Sequence, residues 1–129
     1  MINLINQYVE RLQSVLSNTD WSPVETLADV LFEAVAQKRQ VFLCGNGGSA
    51  GNAIHLANDF LYGIEPTGGS LNVEALSANP AVLTCLGNDI GYDNIYAHQL
   101  KVKANAQDVL IVLSGSGNSP NILRALEQA

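Results

Sequence analysis

Two short apolar segments, each followed by a turn rich in glycine and serine, constrain the fold of this chain most. Residues 40–44 (QVFLC) run into GNGGS at 45–49, and residues 108–113 (DVLIVL) run into SGSGNS at 114–119. Apolar runs of this length without polar alternation are typical of strands buried on both faces of a parallel sheet. A helical pattern follows each turn, so we predict an α/β fold with helices on both faces of the sheet.

Apolar periodicity and turn residues place the other elements. Helices are predicted over 2–16, 23–37, 50–62, 79–86, 92–102 and 120–129, a further strand over 71–76, and turns at 63–69 and 87–91. In the helix at 50–62, the side chains expected to face the core are Ile54, Leu56, Ala57, Phe60 and Leu61. The sequence shows three strands, whereas about five are usual for a sheet of this type.

The charge of the chain restricts its partners. The chain has 129 residues, of which 14% are charged, and a net charge of −6. Its six basic residues are scattered, which argues against sequence-independent binding to nucleic acid. No signal peptide and no apolar run of about 20 residues is visible, so we expect a cytoplasmic protein that binds no membrane. Cys44 and Cys85 lie in apolar runs, and we predict that both are buried free thiols.

The two turns predict an anion site. In parallel sheets, ligands bind where strands end, and helix N-termini attract phosphate through unpaired N–H groups and the helix dipole. The turn at 114–119 adds three hydroxyls and has no Lys or Arg, so dipoles and serines would hold the phosphate. The alternative is that Ser119 only caps the helix and the glycines only turn the chain. Neither turn has the spacing of a Walker loop or of a dinucleotide fingerprint.

A histidine and a carboxylate follow the first turn at helical spacing. His55 and Asp59 are four residues apart and therefore share a helix face, where they would bind a metal ion or transfer protons. Taken alone, such a pair is more often a surface hydrogen bond, and both readings stay open. His98 has no carboxylate at either neighbouring helical position, and we predict that it faces solvent.

Taken together, these motifs resemble the sugar isomerase (SIS) domain family. The segments CGNGGS at 44–49, His55, GND at 87–89 and LSGSGNS at 113–119 carry the resemblance, which extends over nearly all of the chain. Within the family, they look most like the phosphoheptose isomerase group, whose members interconvert sedoheptulose 7-phosphate and D-glycero-D-manno-heptose 7-phosphate. The resemblance implies an intramolecular isomerase that makes a heptose precursor of lipopolysaccharide, a SIS-type three-layer sandwich and a homo-oligomer, a dimer or tetramer.

The resemblance also implies roles for individual residues. The phosphate would bind Ser114, Gly115, Ser116 and Ser119. The sugar would contact Asn46, Gly47, Gly48, Ser49, Asn88 and Asp89. His55 matches a zinc ligand of bacterial members, and Asp59 occupies the position of a glutamate that is both metal ligand and proposed catalytic base. Zinc is therefore the implied cofactor.

Two departures from the family are visible. Asp59 is one methylene shorter than the family's glutamate, and a misplacement of about 1 Å can cost about 100-fold in rate. The family also continues with two strands and a helix that carries a Gln and a His, and these are missing here. We therefore predict one SIS domain with a helical pair at 1–37 as oligomer interface and a truncated sugar-phosphate-binding core at 38–129. The rival function is a non-catalytic SIS module that binds the bacterial replication initiator or senses a phosphosugar.

Overall fold

The computed structural model describes residues 1–63 and 69–129. It divides into two compact units, residues 1–30 and 31–129. Of the loop predicted at 63–69, residues 64–68 lie outside the described part of the chain. The prediction of a helical pair at 1–37 and a core at 38–129 is not tested by this division and stays a prediction.

The first unit contains α1 (Ile2–Asn18) and the first half of α2 (Ser22–Gln37), as predicted. The turn between them is closed by Asp20, whose carboxylate accepts hydrogen bonds from the Ser22 amide and hydroxyl, both at 3.0 Å. These hydrogen bonds lower the pKa of Asp20. None of the residues of α1 is buried, although its apolar side chains recur at helical spacing. Within this unit, α1 therefore presents an amphipathic surface.

The described residues of the second unit form a parallel sheet of three strands. β1 (Gln40–Gly45) lies in the centre, with β2 (Asn72–Ala75) on one side and β3 (Val109–Leu113) on the other. Val41 lies opposite Val73 of β2 and opposite Val109 of β3. All three predicted strands and their parallel direction are confirmed. β1 is buried from Val41 onward, whereas every residue of β3 is only half-buried.

Helices cover both faces of this sheet, and side chains of β1 that point alternately to either side pack against them. Val41 and Leu43 pack on the face covered by the end of α2 and by α3 (Gly48–Asn58). Phe42 and Cys44 pack on the other face, below α5 (Ile95–Lys103) and α6 (Pro120–Gln128). That second cluster is completed by Leu76, Ile95, Tyr96, Leu100, Ile122 and Ala125. The predicted layer of helices on each face is confirmed.

The helix predicted at 50–62 differs from the prediction. α3 ends at Asn58, and a π-helical turn, Asp59–Gly63, continues the chain. Leu56, Ala57 and Phe60 pack against the core as expected. Ile54 and Leu61 were assigned to the inner side wrongly, since they are 43% and 55% exposed. Ala53 faces the core instead of Ile54, and the wider π-helical turn rotates the residues that follow Asn58.

The predicted turn at 87–91 is shorter than expected. The helix α4 (Pro80–Asp89) includes Gly87, Asn88 and Asp89. Its start is capped by Asn79, whose side-chain oxygen accepts hydrogen bonds from the amides of Ala81 and Val82, at 3.1 and 3.2 Å. Glycine inside a helix costs only about 1 kcal/mol, so it does not have to end one. None of the described helices is long and apolar enough to cross a bilayer.

The prediction for the cysteines is half wrong. Cys44 is buried in β1, but Cys85 lies on the exposed face of α4. Leu83 and Leu86 pack against the core there, so Cys85 is turned to solvent. Burial raises the pKa of Cys44 to about 12. His98 is exposed on α5, as predicted.

Candidate phosphosugar site at the ends of two strands

The first loop, residues 45–49, joins β1 to α3 and depends on glycine at two positions. A Cβ atom at Gly45 would lie 2.8 Å from the carbonyl oxygen of Leu113, so only glycine allows β1 and β3 to meet here. Gly47 caps α3 with a φ of +55°, in the region that favours glycine. The Ser49 amide donates a hydrogen bond to the Asn46 carbonyl at 3.0 Å. The loop is therefore a tight turn that opens a helix.

The second loop, residues 114–119, joins β3 to α6 and holds its own serines in place. The Ser114 hydroxyl oxygen accepts a hydrogen bond from the Gly117 amide at 3.0 Å, and the Ser116 hydroxyl oxygen accepts one from the Asn118 amide at 3.2 Å. A hydroxyl that accepts in this way keeps its own O–H free to donate. Ser119 begins α6 without a side-chain capping bond. Ser114, Ser116 and Ser119 can therefore donate their hydroxyl hydrogens to an anion, and the Ser119 side chain does not cap α6.

The register of the sheet brings the two loops together. Gly45 lies directly opposite Leu113, so both loops leave the sheet at the same edge and at adjacent strands. α3 and α6 both begin there, and their N-termini carry partial positive charge. Neither loop contains a Lys or an Arg. Backbone dipoles and hydroxyls are therefore what this edge offers to a phosphate.

Side chains that the sequence did not single out fix the first loop. The carboxamides of Asn46 and Asn121 pair in both directions, each bond measuring 2.8 Å. The hydroxyl of Tyr92 donates to the Asn46 side-chain oxygen at 3.0 Å, and the buried hydroxyl of Tyr96 donates to the Gly45 carbonyl. Burial raises the pKa of Tyr96 to about 12, so it remains a donor at neutral pH. The sequence signal for the contact between Asn46 and Asn121 is weak: it is an asparagine in the first turn of the helix predicted at 120–129, which does not by itself identify a partner.

His55 and Asp59 meet, as their spacing predicted. The Nε2 atom of His55 lies 3.4 Å from Oδ2 of Asp59, while Asn58 donates to Oδ1 at 3.5 Å. The Asp59 side chain is 21% exposed and that of His55 76%. His55 lies seven residues beyond the start of α3, about 10 Å along the helix axis. A ligand that reaches both the loops and this pair must therefore be extended.

Asn88 and Asp89 do not contact the two loops through hydrogen bonds within the described residues. Both are exposed at the end of α4, where Asn88 donates to Asp89 at 2.7 Å. The other Asp89 oxygen lies 3.5 Å from the Cys85 sulfur, and this hydrogen bond raises the pKa of Cys85. Tyr92, a few residues further along, reaches the first loop instead. The sugar-binding role of Asn88 and Asp89 stays a prediction.

The residues present do not fit a zinc site within one copy of the described chain. A catalytic zinc takes three protein ligands and a structural zinc takes four. His55 and Asp59 supply two donors, and no group of three or more His, Cys, Asp or Glu side chains suited to a metal ion occurs in residues 1–63 and 69–129. One copy of the described chain therefore does not complete a zinc ligand set, and zinc stays a prediction.

Comparisons with known proteins agree with the motifs. The model of the SIS domain family matches residues 6–129. The phosphoheptose isomerase of Solidesulfovibrio magneticus is 38% identical over 99% of this chain and 64% of its own length. That of Alteromonas mediterranea is 36% identical over 95% of this chain and 63% of its own length. The chain thus spans less than two thirds of these curated relatives.

Solved structures give the same result for the fold. A phosphoheptose isomerase from Francisella tularensis superposes with a TM-score of 0.89 at 31% identity, over 99% of this chain and 69% of that one. The phosphoheptose isomerase from Neisseria gonorrhoeae superposes with a TM-score of 0.84 at 29% identity, over 98% and 67%. Because the family model covers almost the whole chain and the fold agrees, this chain belongs to the SIS domain family.

Proposed function

We propose that this chain forms the substrate site of an aldose–ketose isomerase that interconverts sedoheptulose 7-phosphate and D-glycero-D-manno-heptose 7-phosphate. The observation that carries the proposal is the pairing of Gly45 with Leu113, which places two helix-opening loops side by side. The similarity to phosphoheptose isomerases supports this choice of substrate.

The phosphate binds the second loop in this proposal. Ser114 and Ser116 donate their hydroxyl hydrogens to phosphate oxygens, since each serine accepts from a loop amide through its oxygen and keeps its O–H hydrogen free. Gly115 has no side chain, so the backbone there can come close to the phosphate. Ser119 places the N-terminus of α6 beside the anion. Hydrogen bonds to a charged group contribute about 1.5–3 kcal/mol each, enough to hold a phosphate without a basic side chain.

The sugar lies along the first loop and extends toward Asp59. Asn46, Gly47, Gly48 and Ser49 line this path, because they follow β1 at the edge where the phosphate binds. Asn88 and Asp89 are proposed to contact sugar hydroxyls from the end of α4. An extended seven-carbon sugar phosphate can span the roughly 10 Å of helix axis between the start of α3 and His55, the residue that contacts Asp59.

Asp59 acts as the general base in this proposal. Its carboxylate removes a proton from the hydroxyl-bearing carbon next to the carbonyl, which gives an enediolate. A proton then leaves the hydroxyl oxygen and another is taken up by the former carbonyl oxygen, and the protonated Asp59 returns its proton to the former carbonyl carbon. His55 lies 3.4 Å from Asp59 and orients the carboxylate. A positioned base contributes about 100- to 10,000-fold to the rate.

The test is the conversion of sedoheptulose 7-phosphate, followed by NMR with and without added zinc. Asp59→Asn should lower kcat by at least about 100-fold while phosphosugar binding persists. Glu127→Gln, an exposed change on α6, is the control and should leave the rate unchanged. Binding without any turnover in the unmodified chain would reject the isomerase and favour the rival, a non-catalytic SIS module. In that case a pull-down with the replication initiator separates initiator binding from phosphosugar sensing.

We also propose that the chain forms a homo-oligomer and that the helices at 1–37 form its interface. The exposed amphipathic surface of α1 supports this proposal. Zinc, a tetramer, a cytoplasmic location and a role in lipopolysaccharide synthesis stay predictions. Analytical ultracentrifugation with and without the substitution Leu12→Glu tests the interface.

A further inference from the structure

The proposed reaction makes no use of Asn121 and Tyr92, yet both bind the side chain of Asn46. We call Asn46, Tyr92 and Asn121 the amide cluster. Asn121 lies in the first turn of α6 and is 1% exposed, while Tyr92 is 57% exposed. Asn46 and Asn121 are 75 positions apart in sequence, so this contact joins the first loop to the helix that follows the second.

The hydrogen bonds of the cluster can be counted. A carboxamide has two N–H donors and an oxygen that accepts two hydrogen bonds. The Asn46 oxygen accepts from Asn121 at 2.8 Å and from Tyr92 at 3.0 Å, so it is saturated. One Asn46 N–H is taken by the Asn121 oxygen at 2.8 Å. Among the described residues, the second N–H of Asn46 has no partner.

The position of Tyr92 is itself fixed from α6. Tyr92 lies in a short 3-10 turn, Tyr92–Asn94, that follows Gly91 with a φ of +85°. Arg124 of α6 donates to the Asn94 side-chain oxygen at 2.6 Å and lies 3.7 Å from the Asp93 carboxylate. α6 therefore supplies one partner of Asn46 directly and fixes the turn that supplies the other.

We propose that Asn121 and Tyr92 are positioning residues that hold the Asn46 carboxamide so that it offers a single N–H donor to the sugar part of the ligand. A donor fixed in this way selects a ligand with an oxygen acceptor, a carbonyl or a hydroxyl, at that position. The inference rests on the proposed function for the identity of the ligand. It adds that the sugar end and the phosphate end are recognised by separable groups, Asn46 and the second loop.

Titrations with two probes, sedoheptulose 7-phosphate and inorganic phosphate, separate these ends. Tyr92→Phe removes one hydroxyl from an exposed side chain and should leave the fold intact. We expect it to raise the Kd for sedoheptulose 7-phosphate about threefold to tenfold, the effect of losing one hydrogen bond to a neutral group. The Kd for inorganic phosphate should stay unchanged. Tyr8→Phe, an exposed tyrosine of α1, is the matched control and should change neither value.

Asn121→Asp provides the second variant, because it keeps the shape of the side chain but can no longer donate to the Asn46 oxygen. We expect a rise of about tenfold or more in the Kd for sedoheptulose 7-phosphate, and a smaller rise for inorganic phosphate because the new carboxylate repels an anion at the second loop. If both variants bind this sugar phosphate as tightly as the unmodified chain, or if both probes weaken equally in Tyr92→Phe, the inference is overturned. If the unmodified chain binds inorganic phosphate but not the sugar phosphate, the proposed function fails instead.

Discussion

Replacing Gly45 with alanine tests the packing that brings the two loops together. A Cβ atom there would lie 2.8 Å from the Leu113 carbonyl oxygen and equally close to the carbonyl carbon and the Cβ atom of Ser49. None of these atoms ends a flexible side chain, so β1, β3 or the start of α3 must move. Overpacking of this kind costs about 1–3 kcal/mol. With three such contacts, we expect Gly45→Ala to lower the free energy of unfolding by about 2 kcal/mol or more.

The matched control is Gly51→Ala, six residues further along in α3. A Cβ atom at Gly51 would meet nothing within 4 Å, and alanine favours a helix over glycine by about 1 kcal/mol. Urea unfolding followed by far-ultraviolet circular dichroism gives both free energies, provided that the slope m is unchanged. If Gly45→Ala proves as stable as the unmodified chain, β1 and β3 do not approach each other closely at Gly45 and Leu113, and the two loops are not held side by side there.

Four further predictions concern single side chains. Asn79→Ala should lower the free energy of unfolding by about 1 kcal/mol because α4 loses its cap. Asn79→Ser should retain most of the stability, since serine also caps helices. If Asn79→Ala is as stable as the unmodified chain, the cap does not contribute. One thiol, Cys85, should react with a disulfide reagent in the native chain and two after denaturation. Because Asp89 raises the pKa of Cys85, Asp89→Asn should move the pH profile of that reaction to lower pH, and an unchanged profile would refute the contact. Ser116→Ala should weaken phosphosugar binding by about 1–2 kcal/mol, and unchanged affinity in a titration would reject its role.

The strands and the two loops could be predicted because their signals are local. QVFLC and DVLIVL are short and apolar, and each runs into a glycine-rich turn, a pattern that favours a buried strand. The contact between His55 and Asp59 was predictable for the same reason, since helical geometry alone brings residues four apart together. Boundaries were less certain, because Gly87 is compatible with a helix as well as with a turn.

The amide cluster could not be predicted, because its members meet only through the sheet and the packing of α6. Asn121 comes two residues after Ser119, where an asparagine is also ordinary in a loop or a first helical turn. The exposure of Cys85 depends on which side of α4 meets the core, and the surrounding apolar run does not determine that side. Local sequence patterns therefore predict that a helix forms, but in α4 and α6 they do not predict which side of the helix faces the core.

In the proposed function, both loops form one phosphosugar site. The most direct measurement is a titration of the isotope-labelled chain with sedoheptulose 7-phosphate, followed through backbone amide NMR signals. We predict that the amides of residues 45–49 and of residues 114–119 shift together and give the same Kd. Shifts confined to one loop, or two different dissociation constants, would contradict a single site.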